Sequence, residues 1–593
     1  MKGRLIMGVY TLGVLLLLVV GAASSCLALD GPADGGKVVP VAPGEHPRLF
    51  FRQDKLAEFR ERAKTPEGLV ITANLRELLK QDVPLAQSQS GETRLAGIWA
   101  AGRATLYAIT GDVADADATR TLVAKLVEMP VINMPELRRG SRYMGIAIAY
   151  DLCYNAWSEE FRTKVATYLA ARADGLLTRK EGVQGDNPAT QSNHNVEGRT
   201  QMGVIALAIL GDPGTTPAVE QCITAAKKDL TGWSTIALGD HGWGTEGEGF
   251  TINCLNWGVY QFADAYQTVY GKPATDAAGF AWVLPLIMAR VVGDDMPYFG
   301  PLVTHWDGSA GVFGSSFYLS GLITVPPAMR PAVKAFYDAH FGLGSKAPFK
   351  MANPAEALYM LACYPFDLTA KPLGDVLPRT IEDKRKGHYV FRNGFKDASD
   401  CLTVVHLHSD PQRKSWTASP GVQVRGLGHH WVDFDPTHTP VADFATVAGA
   451  QMTHYAVQDD GSGTLAGKMT KGTFALAVDY STTSGAPALL ALIDQSGVPL
   501  HLDIQGKLTT AGQTFQITAD DGTSLQGTLI APNDGKLTKD KKGITLPAGA
   551  FLVLTLQQDD APKVSVAVEG ADTVVKVGQQ TIRRVGDEIV LGQ

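Results

Sequence analysis

The chain has 593 residues, 45% of them hydrophobic and 19% charged, with a formal net charge of −7. That length exceeds what one hydrophobic core organises, so two or more domains are expected. The acidic balance excludes nucleic acid as the partner, because phosphate binding needs a basic surface, and the composition excludes wholesale disorder.

Residues 1–28 read as a signal peptide. Lys2 and Arg4 precede an apolar run through Val20, and small residues follow up to Ala28. This order of charge, apolar stretch and small-residue cleavage region marks export, so the mature protein is expected to be secreted or periplasmic. No later segment is apolar enough to span a bilayer. Residues 29–45 are rich in Gly and Pro and read as an N-terminal tail. Five cysteines follow the signal, Cys153, Cys222, Cys254, Cys363 and Cys401, without CxxC pairs or regular spacing. They read as small buried hydrophobes rather than as a disulfide framework.

From His46 to about residue 364 apolar residues recur at intervals of three and four, as at Leu95, Ile98, Trp99, Leu106 and Ile109. This predicts ten or more helices separated by breakers such as Gly111-Asp112 and Gly211-Asp-Pro-Gly214. No fixed-length repeat is visible, which favours a closed ring of helical hairpins over a solenoid. Residues 365–387, with Pro365, Pro372, Pro378 and the run Glu382-Asp-Lys-Arg-Lys386, read as a solvated linker. From residue 388 to 593 the period falls to two, in segments such as His388–Arg392, Gly421–Arg425 and Phe551–Leu556. Turn residues punctuate them, which predicts an antiparallel β-sandwich.

Three polar clusters stand out from this scaffold. In the first, Asn193 and His194 open an apolar helix, Glu197 follows one turn later and Arg199 lies just beyond. A carboxylate one turn from a His can orient it and favour its charged form. Capping by an ordinary surface His is the competing explanation. The second runs Gly239-Asp240-His241-Gly-Trp243-Gly-Thr-Glu246-Gly-Glu248-Gly-Phe250. So many glycines predict a loop that lets a ligand approach backbone, with Trp243 available to stack on a sugar ring. The third is His406-Leu-His408-Ser-Asp410, with Trp416 nearby. Its spacing admits a structural divalent metal at His406/His408. However, two His at i and i+2 on a strand also read as plain sheet surface, so no metal and no cofactor is assigned.

Taken together with His46-Pro-Arg-Leu-Phe-Phe51, the stretch Arg139–Trp157 and Tyr389-Val-Phe-Arg-Asn-Gly394, these clusters resemble the heparinase II/III-like and alginate-lyase group of polysaccharide lyases in order and spacing. The resemblance implies a multidomain α+β chain, with an incomplete α/α toroid (46–364) followed by an antiparallel β-sandwich (388–593). It also implies β-elimination on a uronic-acid-containing glycan. Asn193 and His194 would neutralise the substrate carboxylate, with Glu197 behind them. The family's proton-transfer Tyr falls at Phe250, so the expected substitutes are Tyr260 and, from the β-domain, His408. Tyr143, Tyr298 and Tyr318 are looser candidates. Arg142, Arg199, His241, Trp243, Glu246 and Trp416 are expected to contact substrate. The implied partner is an acidic polysaccharide or oligosaccharide; nothing in the sequence sets the oligomeric state. Two alternatives share the scaffold. One is a glycan-binding protein without turnover. The other is a toroidal glycoside hydrolase using carboxylates such as Asp240, Glu246, Glu248 or Asp307.

Overall fold

The computed structural model describes residues 33–34, 37–83, 92–129, 136–178, 190–293, 315–407, 421–433, 452–468, 472–481, 488–495, 497, 499–532, 534–557, 564–569, 572–578 and 580–592. The signal segment, Tyr298, Asp307, His408 and Trp416 lie outside them.

Among the described residues, helices run from Leu56 to Cys363 and β-strands from Thr380 to Gly592. The helices stand where the three- and four-residue spacing placed them, with two additions, Pro66–Leu79 and the short Ser316–Ser320. Pro66–Leu79 forms a full helix, opened by the Thr65 side chain, which accepts the Gly68 N–H at 3.1 Å, and by Pro at its first position. Packing between helices is tight where glycine removes the side chain. At Gly97 an added Cβ would lie 2.2 Å from the Arg142 carbonyl oxygen, so Glu92–Thr110 and Glu136–Cys153 meet backbone to backbone. The ring is closed by Arg62, whose Nη1 donates to the carbonyls of Leu361 (3.4 Å) and Ala362 (3.2 Å), three hundred residues away. The result is an α/α toroid with one continuous apolar core. The five cysteines are free and buried within the two domains.

The segment His46–Phe51 is a plug rather than a groove wall. Asp151 accepts from His46 Nδ1 (2.7 Å) and from the backbone N–H groups of Arg48 and Leu49. Asp212 faces His46 Nε2 (2.9 Å) and accepts from Arg48 Nη2 (2.8 Å) and the Tyr150 hydroxyl (2.9 Å). Burial alone pushes Asp212 up, but the hydrogen bond from His46 and the Arg48 charge hold it below the usual carboxylate range.

The β-domain has two eight-stranded antiparallel sheets around an apolar core. The first begins at Thr380–Asp383, inside the stretch that the sequence presents as linker, and continues through His388–Arg392 and Leu402–His406. These strands are buried on every residue or nearly so. One face packs on the second sheet; on the other, Ile381, Val390, Leu402 and Val404 meet Trp243, Leu286, Ala289 and Val292 of the toroid. Arg392 secures this seam by donating to the carbonyls of Ala289 (2.8 Å) and Val291 (2.6 Å) at the end of the helix Ala278–Arg290. The sequence places a strand at Val564–Val568 and two further short strands near 573–590. Instead a four-stranded meander, from Val564–Glu569 to Glu588–Gly592, forms a third layer. Its Val575, Val577, Ile582 and Ile589 cover Ala466, Ala475, Ala477 and Ala491 on the outer face of the second sheet. No helix of the described residues is long and apolar enough to cross a membrane.

The run Glu382–Lys386 departs from its reading as solvated linker. Asp383 is fully buried. It accepts the backbone N–H groups of Asp240, His241 and Trp243, each at 3.0 Å, and that of Lys386 at 3.2 Å. Burial raises its carboxyl above the ordinary value, and these donors oppose the shift. Lys386 Nζ donates to the Thr245 hydroxyl at 2.6 Å and to the Ile236 carbonyl at 3.2 Å. A Cβ at Gly239 would fall 1.9 Å from an Asp383 carboxylate oxygen. Replacing Asp383 with Ala orphans three N–H groups of the toroid loop, at about 1–3 kcal/mol each. Asp383→Ala is therefore expected to lower the thermal midpoint by many degrees and to open residues 239–247 to proteolysis, whereas Lys384→Ala, at an exposed site, changes neither. Calorimetry and limited proteolysis read both.

Candidate active site

The helix Asn193–Ala208 begins at the mouth of a polar column. Its Ser192 cap residue is extended but makes no side-chain cap bond. The missing acceptor comes from elsewhere in the chain: Glu246 Oε2 accepts the Asn193 N–H at 2.6 Å. A carboxylate at a helix N-terminus satisfies an orphan donor and meets the positive end of the helix dipole. Asn193 is 4% exposed, and among the described residues its side-chain Nδ2 has no hydrogen-bond partner. That amide is a donor held in place with nothing to donate to. His194 beside it is half-buried.

One turn deeper, Glu197 is fully buried. It accepts from Asn253 Nδ2 (3.1 Å) and Gln201 Nε2 (3.2 Å). Gln201 also donates to the Ser141 hydroxyl (2.9 Å) and to the Trp257 carbonyl (2.7 Å). That carbonyl belongs to a π-helical turn, Leu255–Val259, between the helices Glu248–Cys254 and Tyr260–Tyr270. The wider turn frees backbone carbonyls, and side chains take them: Gln261 Nε2 donates to Asn256 O at 2.9 Å. Below lies a cavity of about 20 Å³, room for one water, lined in part by Ser141, Asn256, Ser316 and Glu356. Burial pushes the Glu356 carboxyl up to about 8, against hydrogen bonds from Ser316, Ala352 and Asn353. Neither Asn193 nor His194 lines this cavity.

The other expected site residues go elsewhere. Tyr260 is fully buried, its ring 5.8 Å from Phe280 and 5.4 Å from Phe317, and its hydroxyl has no partner. Burial raises that phenol well above its ordinary value, so Tyr260 is core and not a proton donor to substrate. Tyr143 and Tyr318 are likewise 1% and 2% exposed. Phe250, half-buried in the first turn of its helix, stands where a proton-transfer Tyr was sought. Trp243 is no sugar platform: it stacks on His388 at 3.8 Å and carries the Arg290 guanidinium on its ring at 5.0 Å, inside the domain seam. His406 is buried 4.9 Å from Trp243. Burial, first, and the nearby Arg290 and His406 hold His388 far below the usual imidazole range. Among the described residues no three His, Cys, Asp or Glu gather as a metal site.

Arg199 holds helices together rather than substrate. Its Nη1 donates to the Leu176 and Leu177 carbonyls, and its Nε pairs with Asp229 at 3.2 Å. Arg142 donates to the Leu126 carbonyl at 2.5 Å from a buried position. His241 lies in a separate cleft against Trp282. The carboxylates of the hydrolase alternative are engaged too. Glu248 pairs with Arg290 at 3.0 Å in full burial, Glu246 holds Asn193, and Asp240 accepts the Arg385 N–H at 3.2 Å.

With this geometry in hand, solved structures give the comparison. A heparinase III (the BT4657 gene product) superposes with a TM-score of 0.56 at 11% identity, over 84% of this chain and 86% of that one. The heparan sulfate lyase HepC from Pedobacter heparinus gives 0.54 at 12% identity, over 91% and 93%. A further heparinase III gives 0.52 at 11%, over 85% and 84%. The fold is that of the heparinase-type lyases. No family model matches the chain, and no curated protein matches it in sequence. The heparinase-type architecture of toroid and sandwich thus agrees with the order predicted from the sequence.

Sequence reasoning missed Asn253, the residue that holds Glu197. The signal was its place three residues after Phe250, on the helix entered from the glycine loop. Two outcomes follow. Glu246→Ala removes the acceptor from the Asn193 N–H and is expected to cost about 1–2 kcal/mol in chemical denaturation, with Glu246→Gln costing less because an acceptor oxygen remains. For Glu356 the folded state retains a proton between pH 4.5 and about 8 that the unfolded chain releases. Stability therefore falls as pH rises through that window. Glu356→Gln should flatten the fall and melt above the wild type at pH 8, measured by calorimetry from pH 5 to 8.

Proposed function

We propose that this chain is an exported polysaccharide lyase that cleaves a uronic-acid-containing glycan by β-elimination. The observation that carries the reading is the buried Asn193 side-chain amide, unpartnered among the described residues, on a residue whose backbone N–H is held by Glu246 in the first turn of its helix beside His194. The proton on C5 of a uronate is weakly acidic because the neighbouring carboxylate is already negative. Hydrogen bonds to that carboxylate let it accept charge as the proton leaves. The C4–O bond then breaks toward the leaving sugar and a C4=C5 double bond forms. A preorganised donor at a developing charge contributes roughly 3 kcal/mol. The Asn193 amide is such a donor, and Glu197, locked by Asn253 and Gln201, braces the turn that carries it. The heparinase-type fold supports the same reading, since one of the solved neighbours named above, HepC, is a heparan sulfate lyase.

Proton transfer is assigned to His194, which takes the C5 proton and passes it to the departing O4, so that the leaving sugar ends as a hydroxyl. Of the titratable side chains gathered at this helix start, Glu197 and Glu246 are buried, whereas His194 is half-buried. Phe250 has no proton to give, and Tyr260 is shut in the core. That same pair of facts supports the second reading, a glycan-binding protein without turnover.

The experiment is incubation with alginate, heparan sulfate, chondroitin and ulvan while ultraviolet absorbance of the new double bond is followed. Turnover on one of them is expected, with Asn193→Ala slower by about 10²–10³-fold and His194→Ala inactive. Binding without absorbance on every polymer would establish the second reading instead.

A further inference from the structure

The seam between the toroid and the β-domain holds a second cleft, of about 460 Å³, which none of the Asn193-cluster residues line. The toroid contributes His241 and Trp282; the segment leading into the first sheet contributes Asp375, Thr380 and Glu382, and a turn of the β-domain contributes Asp459. We propose that this cleft binds an uncharged pyranose unit of a glycan, independently of the Asn193 site.

The wall chemistry selects the ligand. Trp282 is half-buried, with the His241 ring edge-on at 4.5 Å, so part of the indole remains as an apolar platform. The hydrophobic C–H face of a pyranose lies flat on such a surface. Two buried polar atoms in this cleft have no protein partner: His241 Nδ1 and Glu382 Oε2. The other Glu382 oxygen is 3.3 Å from Lys384 Nζ. Buried polar atoms are normally satisfied, so this pair calls for hydroxyl groups to complete it. Three carboxylates and no Lys or Arg line the cleft. A uronate or a sulfated sugar is repelled here, which separates this cleft from a site that quenches a carboxylate. A metal ion is disfavoured as well, since among the described residues no three suitable ligands converge. A neutral sugar meets every condition: it offers hydroxyl donors to the carboxylates and brings no charge.

The test is calorimetric titration of the full chain with neutral hexasaccharides of glucose, mannose and xylose, beside a uronate hexasaccharide. The expected result is binding of at least one neutral hexasaccharide, insensitive to salt, and weakened at least about tenfold by Trp282→Ala. Asn193→Ala is expected to leave it unchanged. Because Trp282 also touches the seam, Asp459→Ala at an exposed position serves as a second variant and is expected to weaken binding about threefold. The proposal is overturned if no neutral hexasaccharide binds, if both variants bind as the wild type does, or if the cleft prefers a polyamine with strong salt dependence.

Discussion

One buried carboxylate organises the functional half of this molecule. Asp383 leaves the β-domain and receives three consecutive-loop N–H groups from the toroid. Its burial is costly, and the donors offset that cost only while the loop keeps its shape. The loop shape in turn delivers Glu246 to the start of the helix Asn193–Ala208, where it holds the Asn193 N–H. Thus a contact in the domain seam sets the position of an amide in the proposed active site. Within the glycine-rich loop that suggests an opening for ligand, Gly239 instead admits a carboxylate of the protein itself, that of Asp383.

The seam also explains several polar residues that look like site residues in isolation. Trp243, His388, His406, Arg290 and Glu248 form a stacked and paired group between the toroid and the first sheet. Glu248 is raised by burial and Arg290 is lowered by it, each restrained by the other. Such a pair adds little net stability, but removing one member strands the other. Its contribution is to fix how the domains meet.

Architecture was legible in the sequence because it rests on periodicity. The change from a three-to-four spacing to a two-residue spacing near residue 388 marks the junction of toroid and sandwich, and Asn193, His194 and Glu197 do open one helix. What stayed hidden depends on contacts between distant residues. Nothing local shows that Asp383 is a buried acceptor rather than solvated linker, because a charged run looks the same in either role. Tyr260 lies near enough in sequence to substitute for Phe250, yet helix rotation turns it into the core beside Phe280 and Phe317. Arg199 reads as substrate-binding until the carbonyls of Leu176 and Leu177 are seen to end another helix there.

The clasp of Arg62 on Leu361 and Ala362 bears on how the molecule is made. A chain synthesised from its N-terminus presents Arg62 long before its carbonyl partners exist. The plug around His46 waits too, until Asp212 has emerged. Ordering the first helices against such late arrivals carries a large loop-closure entropy and makes ring assembly slow. A toroid of this design therefore spends its early life with an open seam.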